Sequence, residues 1–175
     1  KPILRSTLER LMEIDEFKPF RLVGGTSLSL RYGHRMSDDI DLFTDAEYGS
    51  LDFQLLQEIL RKEFPYCQGD CDGIVGFGTS YLVGNSIEDN VKLDLFYTDP
   101  FIRPLEQVGT IRMASVDDIV AMKLDVVSRE GRKKDFWDLH MLRDNYTIEQ
   151  MLSLYEERYP YGATKEECMA GLTNF

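Results

Sequence analysis

Leu22-Val-Gly-Gly-Thr-Ser-Leu-Ser-Leu-Arg31, followed by Arg35-Met-Ser37-Asp38-Asp39-Ile40-Asp41-Leu42-Phe43, sets a strand, a tight turn, a helix and a second strand in close succession. Phe20–Val23 is apolar and ends in Gly24-Gly25, the pattern of a strand running into a turn. Thr26 and Ser27 are helix-opening residues, and the helix is expected to reach Arg31. Tyr32 to Asp38 reads as a polar loop, and Ile40, Leu42 and Phe43 place a strand that begins near Asp39. Two glycines at a strand end let the backbone approach an anion. A helix starting there aims free N–H groups and its positive dipole end at the same point. Gly24, Gly25, Thr26 and Ser27 are therefore candidate phosphate contacts, although many turns of this composition are only strand-to-helix corners.

Asp39 and Asp41 lie two apart on the expected strand, so both carboxylates leave one face. The triplet alone carries no information: with 17 aspartates in 175 residues, one or two arise by chance, and the chain has two. Position separates them. Asp39 and Asp41 sit on an apolar strand just after the phosphate-cradle candidate, whereas Asp70-Cys71-Asp72 lies in a glycine-rich stretch and reads as a solvated turn. Asp38 is expected to face the other way. A few carboxylates together with substrate phosphates suffice to hold Mg²⁺. Asp94 interrupts the apolar run Val91–Tyr97, where a charge is costly unless paired or metal-bound. It reads either as the wet face of a strand, paired with neighbours such as Lys92, or as a third carboxylate for metal or general-base work.

Further out, residues 3–16 and Leu51–Phe64 show helical apolar spacing, the second stopped by Pro65. Ile74–Phe77, Ser80–Val83, Val91–Tyr97 and Thr110–Ala114 read as short strands. Helices are expected over 116–128, with Ser115 as N-cap, and over 134–144, 147–157 and 164–172. The order predicts an α/β core over residues 1–114 and a helical part over 115–175 packed on it as one unit. Lys123 lies among Ile119, Val120, Leu124 and Val127, placed either to snorkel or to neutralise a phosphate or carboxylate. Arg129, Arg132, Lys133 and Lys134 form the densest basic run and suit phosphate or RNA contacts; His140, on the helix of Trp137, reads as packed.

The formal charge is −11, and the acidic excess is concentrated: residues 1–37 carry +3, 38–99 carry −11 and 100–175 carry −3. This argues against a generic nucleic-acid coat, while leaving room for a local basic path. No apolar run spans a bilayer, and 20 aromatic residues supply enough apolar surface for a packed core. Three cysteines (Cys67, Cys71 and Cys168), with no signal-peptide pattern, predict a cytoplasmic protein without disulfides. Cys67, Cys71 and Asp72 lack a nearby second Cys or His pair for zinc.

Together, Leu22-Val-Gly-Gly-Thr-Ser-Leu-Ser-Leu, His34-Arg35-x-Ser37-x-Asp39-Ile-Asp41-Leu-Phe, Asp117-Asp-Ile-Val-Ala-Met-Lys123 and Arg132-Lys-Lys-Asp135-Phe-Trp-Asp138-Leu resemble, in order, the signature of the AbiEii/AbiGii toxin family of minimal nucleotidyltransferases. The resemblance implies a polymerase-β-like nucleotidyltransferase fold, a twisted mixed sheet flanked by helices. It also implies Mg²⁺ chemistry, most simply with two ions, and an NTP substrate. Asp39 and Asp41 would be metal ligands, with Asp94 a looser third. Gly25 and Ser27 would lie at the nucleotide phosphates, Lys123 and Asp135 would form a second functional pair, and Lys123 or Arg35 would balance developing charge. Ser37 occupies a position that partners phosphorylate in related toxins. The implied partners are an antitoxin and a tRNA or protein acceptor. A small-molecule nucleotidyltransferase and a non-catalytic nucleotide-binding module are the alternatives.

Overall fold

The structure is a computed structural model that describes residues 1–71 and 75–173. Its first helix, α1 (Pro2–Glu13), buries Ile3, Leu4, Leu8, Leu11 and Met12 along one face. A single 3₁₀ turn, Asp15–Phe17, leads into β1 (Arg21–Val23) and α2 (Gly24–Tyr32). Next come β2 (Asp39–Thr44), α3 (Phe53–Glu63), β3 (Tyr66–Gln68), β4 (Gly78–Gly84) and β5 (Asn90–Tyr97). The hairpin β6 (Glu106–Val108) and β7 (Ile111–Met113) precedes four helices: α4 (Val116–Glu130), α5 (Lys133–Leu142), α6 (Ile148–Arg158) and α7 (Lys165–Thr173).

The strands form one mixed sheet in the order β3-β4-β5-β2-β1-β7-β6. β2 is antiparallel to β1 and parallel to β5, so the chain's two central strands carry its central acidic residues side by side. Alternation on β2 buries Ile40, Leu42 and Thr44 and turns Asp39, Asp41 and Phe43 to the opposite face. Ile40 and Leu42 join a core with α1 and α3 that includes Leu8, Leu11, Phe17, Phe20, Phe53, Leu56 and Leu60. On the other face a second core gathers Val23, Leu28, Ile119, Val120, Leu124, Leu139 and Tyr155 from β1, α2 and α4–α6. That second core covers the β1 side of the sheet and stops short of β4, where Ser80 and Leu82 are exposed.

Most expected elements are present, with shifts that have local causes. The helix expected from Thr26 starts two residues earlier, at Gly24, with Val23 as an N-cap that makes no side-chain bond. Within the expected strand Ile74–Phe77, Ile74 lies outside the described residues, as does Asp72; Gly76 and Phe77 form a turn and the strand begins at Gly78. β3 and β6 were not expected. The helix start at Ser115 is made as expected, its side chain accepting from the Asp118 backbone N–H, and Asp52 caps α3 in the same way by accepting from Leu55 N–H. Among the described residues no helix is long and apolar enough to cross a membrane.

Candidate active site

Beside the Gly24-Gly25 corner the structure opens a cavity of about 220 Å³. Its lining comes from the β1–α2 corner (Val23, Gly24, Gly25), the loop after α2 (Arg35, Ser37), β2 (Asp39, Asp41, Phe43), α4 (Ile119, Met122, Lys123, Val126) and the start of α5 (Arg132, Lys134, Asp135). The residues singled out in the sequence thus converge from segments up to a hundred residues apart.

Gly24 takes φ +71°, a conformation that favours glycine, and side-chain ends lie close against both glycines. A Cβ on Gly24 would lie 2.7 Å from Asp41 Oδ2, and on Gly25 it would collide with the Arg35 guanidinium. The backbone at the start of α2 is therefore bare toward the cavity, with no side-chain cap on its N–H groups. Thr26 and Ser27 correct the expectation. Both are fully buried: Ser27 Oγ donates to Gly24 O at 2.8 Å, and Thr26 Oγ1 bonds to the Asp39 carbonyl and, at 2.7 Å, to Ser37 Oγ. They brace the corner, and the backbone and Arg35 are what face the cavity.

Register places Asp41 on β2 directly beside Asp94 on β5, and Asp39 beside Lys92. Burial first, then the charges of Asp94 and Asp39, push the Asp41 carboxyl up to about 6. Asp94 accepts from Ser80 Oγ at 2.5 Å and from Lys92 Nζ at 3.0 Å. Asp94 is paired with Lys92, as the wet-face reading expects, and it adjoins Asp41 just outside the cavity lining. Asp38 is exposed and pairs with Lys1 at 3.0 Å, away from the site as expected.

Across the cavity, Lys123 does not snorkel. Its side chain is 8% exposed and its Nζ lies 2.8 Å from Asp135 Oδ1 and 3.0 Å from Asp138 Oδ2. Asp135 also accepts from the Arg132 backbone N–H at 3.0 Å, which ties the first turn of α5 to its N-cap residue. Asp138 is fully buried and holds Arg35 in a bidentate grip at 2.7 and 2.8 Å, with His34 Nε2 at 2.7 Å. Burial would raise the Asp138 carboxyl, but the bonds from Arg35, His34 and Lys123 outweigh it and hold it at about 2. Asp135 is likewise lowered, burial being overcome by Lys123 and Arg132.

The sequence reading assigned no role to Asp138 or His34. The available signal was helical spacing: Asp135 and Asp138 are three apart and share a face. The basic run divides. Arg132 and Lys134 line the cavity, Arg129 is exposed and pairs with Asp125 at 2.7 Å, and Lys133 faces a separate apolar groove. His140 is exposed rather than packed, its ring 6.2 Å from that of Trp137.

The cavity is lined by cations and set between a bare helix N-terminus and a carboxylate-bearing strand, and its fold is that of several solved structures. JHP933 from Helicobacter pylori superposes with a TM-score of 0.61 at 18% identity, covering 98% of this chain and 86% of that one. MenT4, a nucleotidyltransferase toxin from Mycobacterium tuberculosis H37Rv, gives 0.59 at 17% identity over 87% of this chain and 62% of its own. The Megavirus polyadenylate synthase gives 0.56 at 16% identity over 82% of this chain and 32% of its own. In sequence, the protein aq_aa25 of Aquifex aeolicus (strain VF5) is 29% identical over 161 residues, 89% of this chain and 73% of that one. The sequence profile of the nucleotidyl transferase AbiEii toxin family, described as a Type IV TA system, matches residues 6–167, and the chain belongs to that family. It is a nucleotidyltransferase enzyme that uses an NTP.

Proposed function

We infer that this enzyme transfers a nucleoside monophosphate from an NTP to an acceptor hydroxyl, as the toxin of a pair with an antitoxin. The observation that carries the reading is the placement of Asp39 and Asp41 on one wall of the cavity, facing the bare Gly24-Gly25 corner and Arg35. The acceptor oxygen forms a bond to the α-phosphorus, the α–β phosphoanhydride breaks, and pyrophosphate leaves with its electron pair. The acceptor's proton passes to a carboxylate, a role for Asp94, whose register beside Asp41 supports it. The free N–H groups of Gly24 and Gly25 and the side chains of Arg35, Lys123, Arg132 and Lys134 balance charge on the triphosphate.

The donor set fits a hard divalent cation such as Mg²⁺. Burial, then the charges of Asp94 and Asp39, raise the proton affinity of the Asp41 carboxylate, which marks a place short of positive charge. Among the described residues, no three carboxylate, imidazole or thiol groups form a complete cage. This suits Mg²⁺, which is held by one or two carboxylates and completes its shell with water and substrate phosphates. Asp39 and Asp41 would hold it, with Asp94 beside them; when bound, it supplies Lewis-acid charge at the reacting phosphate.

The test is transfer of label from each α-labelled NTP, with Mg²⁺, to total tRNA, protein lysate or small metabolites, comparing wild type with Asp39→Asn/Asp41→Asn. Label on tRNA or protein from wild type alone supports the reading. Label confined to small molecules would replace the toxin role with a small-molecule one, and transfer undiminished in the variant would remove these carboxylates from the mechanism.

A further inference from the structure

Helix α5 presents different side chains to two sides. Asp135 and Asp138 hold Lys123 on the side of the active-site cavity. Lys133, Trp137 and His140, spaced i, i+4 and i+7, line a groove of about 820 Å³ on the other side, walled by α6 and α7. The floor of the groove is buried at Leu139 and Met151. Its walls are not: Trp137 and Ile148 are each 52% exposed and Met169 is 38% exposed. Large apolar side chains gathered around one open groove mark a binding face rather than scattered surface exposure. The charge there is one-sided. Lys133 and Arg143 stand at the two ends of the α5 wall, with His140 between them, all exposed. Among the described residues that line the groove none is Asp or Glu, in a chain with 31 acidic and 20 basic side chains. Just outside the lining, Asp144 meets Arg143 at 3.9 Å, a loose pair in water.

We propose that this groove is the docking site of another protein, which lays into it an amphipathic helix flanked by Asp or Glu. From Lys133 to Arg143 the α5 wall rises about 15 Å, the length of roughly three turns of a partner helix. Apolar side chains on one face of that helix meet Trp137, Ile148 and Met169, and its flanking carboxylates meet Lys133 and Arg143. Charge complementarity selects this occupant over two others. A second copy seated by a two-fold axis would set Lys133 and Arg143 against the same two side chains, like charge against like. An acyl chain would lie half in water between walls this exposed. Docking here stands apart from the transferase reading, because the ion cluster of Asp135, Asp138 and Lys123 is on the opposite side of α5.

Trp137 is the only tryptophan in the chain, so its fluorescence reports the groove and nothing else. The probes are two stapled helical peptides of about 14 residues, with the same leucine face and either Glu or Lys on both flanks. The Glu peptide should shift Trp137 emission to the blue and bind at least about tenfold more tightly than the Lys peptide at low salt, the gap closing as salt is raised. A net charge of −11 alone predicts the reverse order, so the preference cannot come from the surface at large. Lys133→Glu/Arg143→Glu should reverse the order, and Ile148→Asp/Met169→Asp should abolish binding of both peptides, with melting curves showing each variant folded. Equal or tighter binding of the Lys peptide, binding that leaves Trp137 emission unchanged, or no shift from either peptide up to about 1 mM would overturn the assignment. So would dodecanoate binding at least as tightly as the Glu peptide, which gives the groove to an acyl chain. An emission shift that follows protein concentration alone, with a dimer mass in sedimentation, would give it to a second copy and overturn it as well.

Discussion

Around Asp41 the requirements of activity and of stability pull in opposite directions. Its carboxylate is buried beside Asp94 and Asp39, and its pKa of about 6 reflects that crowding. Asp41→Asn removes a like charge from the group and should stabilise the protein at pH 7.5 by roughly 1–3 kcal/mol in urea unfolding with EDTA, while abolishing transfer. A variant less stable than wild type would show that the crowding is relieved in some other way. Asp138 works in the opposite sense. Its folded pKa of about 2 lies below the ordinary carboxylate value, so its contribution of roughly 2 kcal/mol is present above about pH 4 and lost as pH falls toward 2. The stability gap between wild type and Asp138→Asn should therefore narrow over that interval, and a gap constant with pH would contradict the assignment. Asp39, Asp41 and Lys123 were legible in the sequence because a charge in an apolar run requires a reason. Asp138 and His34 were not, since their bonding partners are fixed only when residues 104 apart meet.

Elements were legible in proportion to how much of them is buried. α1, α3 and α4 each bury a continuous face, and their periodicity gave them away. β3 and β6 are three residues long with no fully buried position, so they carry no alternation to read. The loop between β5 and β6 is held by a device that periodicity cannot reveal. Arg158 of α6 and Asp118 of α4 pair at 3.0 Å with both side chains wholly buried. Arg158 also donates to the Pro100 and Asp99 carbonyls and to Thr98 Oγ1, while Asp118 accepts from the Ile102 and Arg103 N–H groups. Arg158→Met strands the Asp118 charge and several carbonyls, and should cost about 3–5 kcal/mol in urea unfolding. A loss below about 1 kcal/mol would mean that water replaces the guanidinium.

For the whole molecule, the charge distribution determines how a polyphosphate can approach. Residues 38–99 carry the net −11, yet the cavity draws Arg35, Lys123, Arg132 and Lys134 from either side of that segment into one place. An anion is repelled by most of the surface and admitted where these cations cluster. The run Arg129–Lys134 looked like a single patch in the sequence because helix phase is invisible there; the turn into α5 sends alternate members to different places. Arg132→Ala/Lys134→Ala should therefore weaken Mg·NTP binding by about tenfold or more, most strongly at low salt, in calorimetric titration. The double variant should keep its fold, because the Arg132 cap on Asp135 is made by the backbone N–H, which alanine retains. Arg129→Ala/Lys133→Ala should leave affinity within about twofold, one side chain being exposed on α4 and the other facing the apolar groove. Equal losses from the two pairs would mean that the run acts through its summed charge, and the cavity would then lose its claim to the triphosphate.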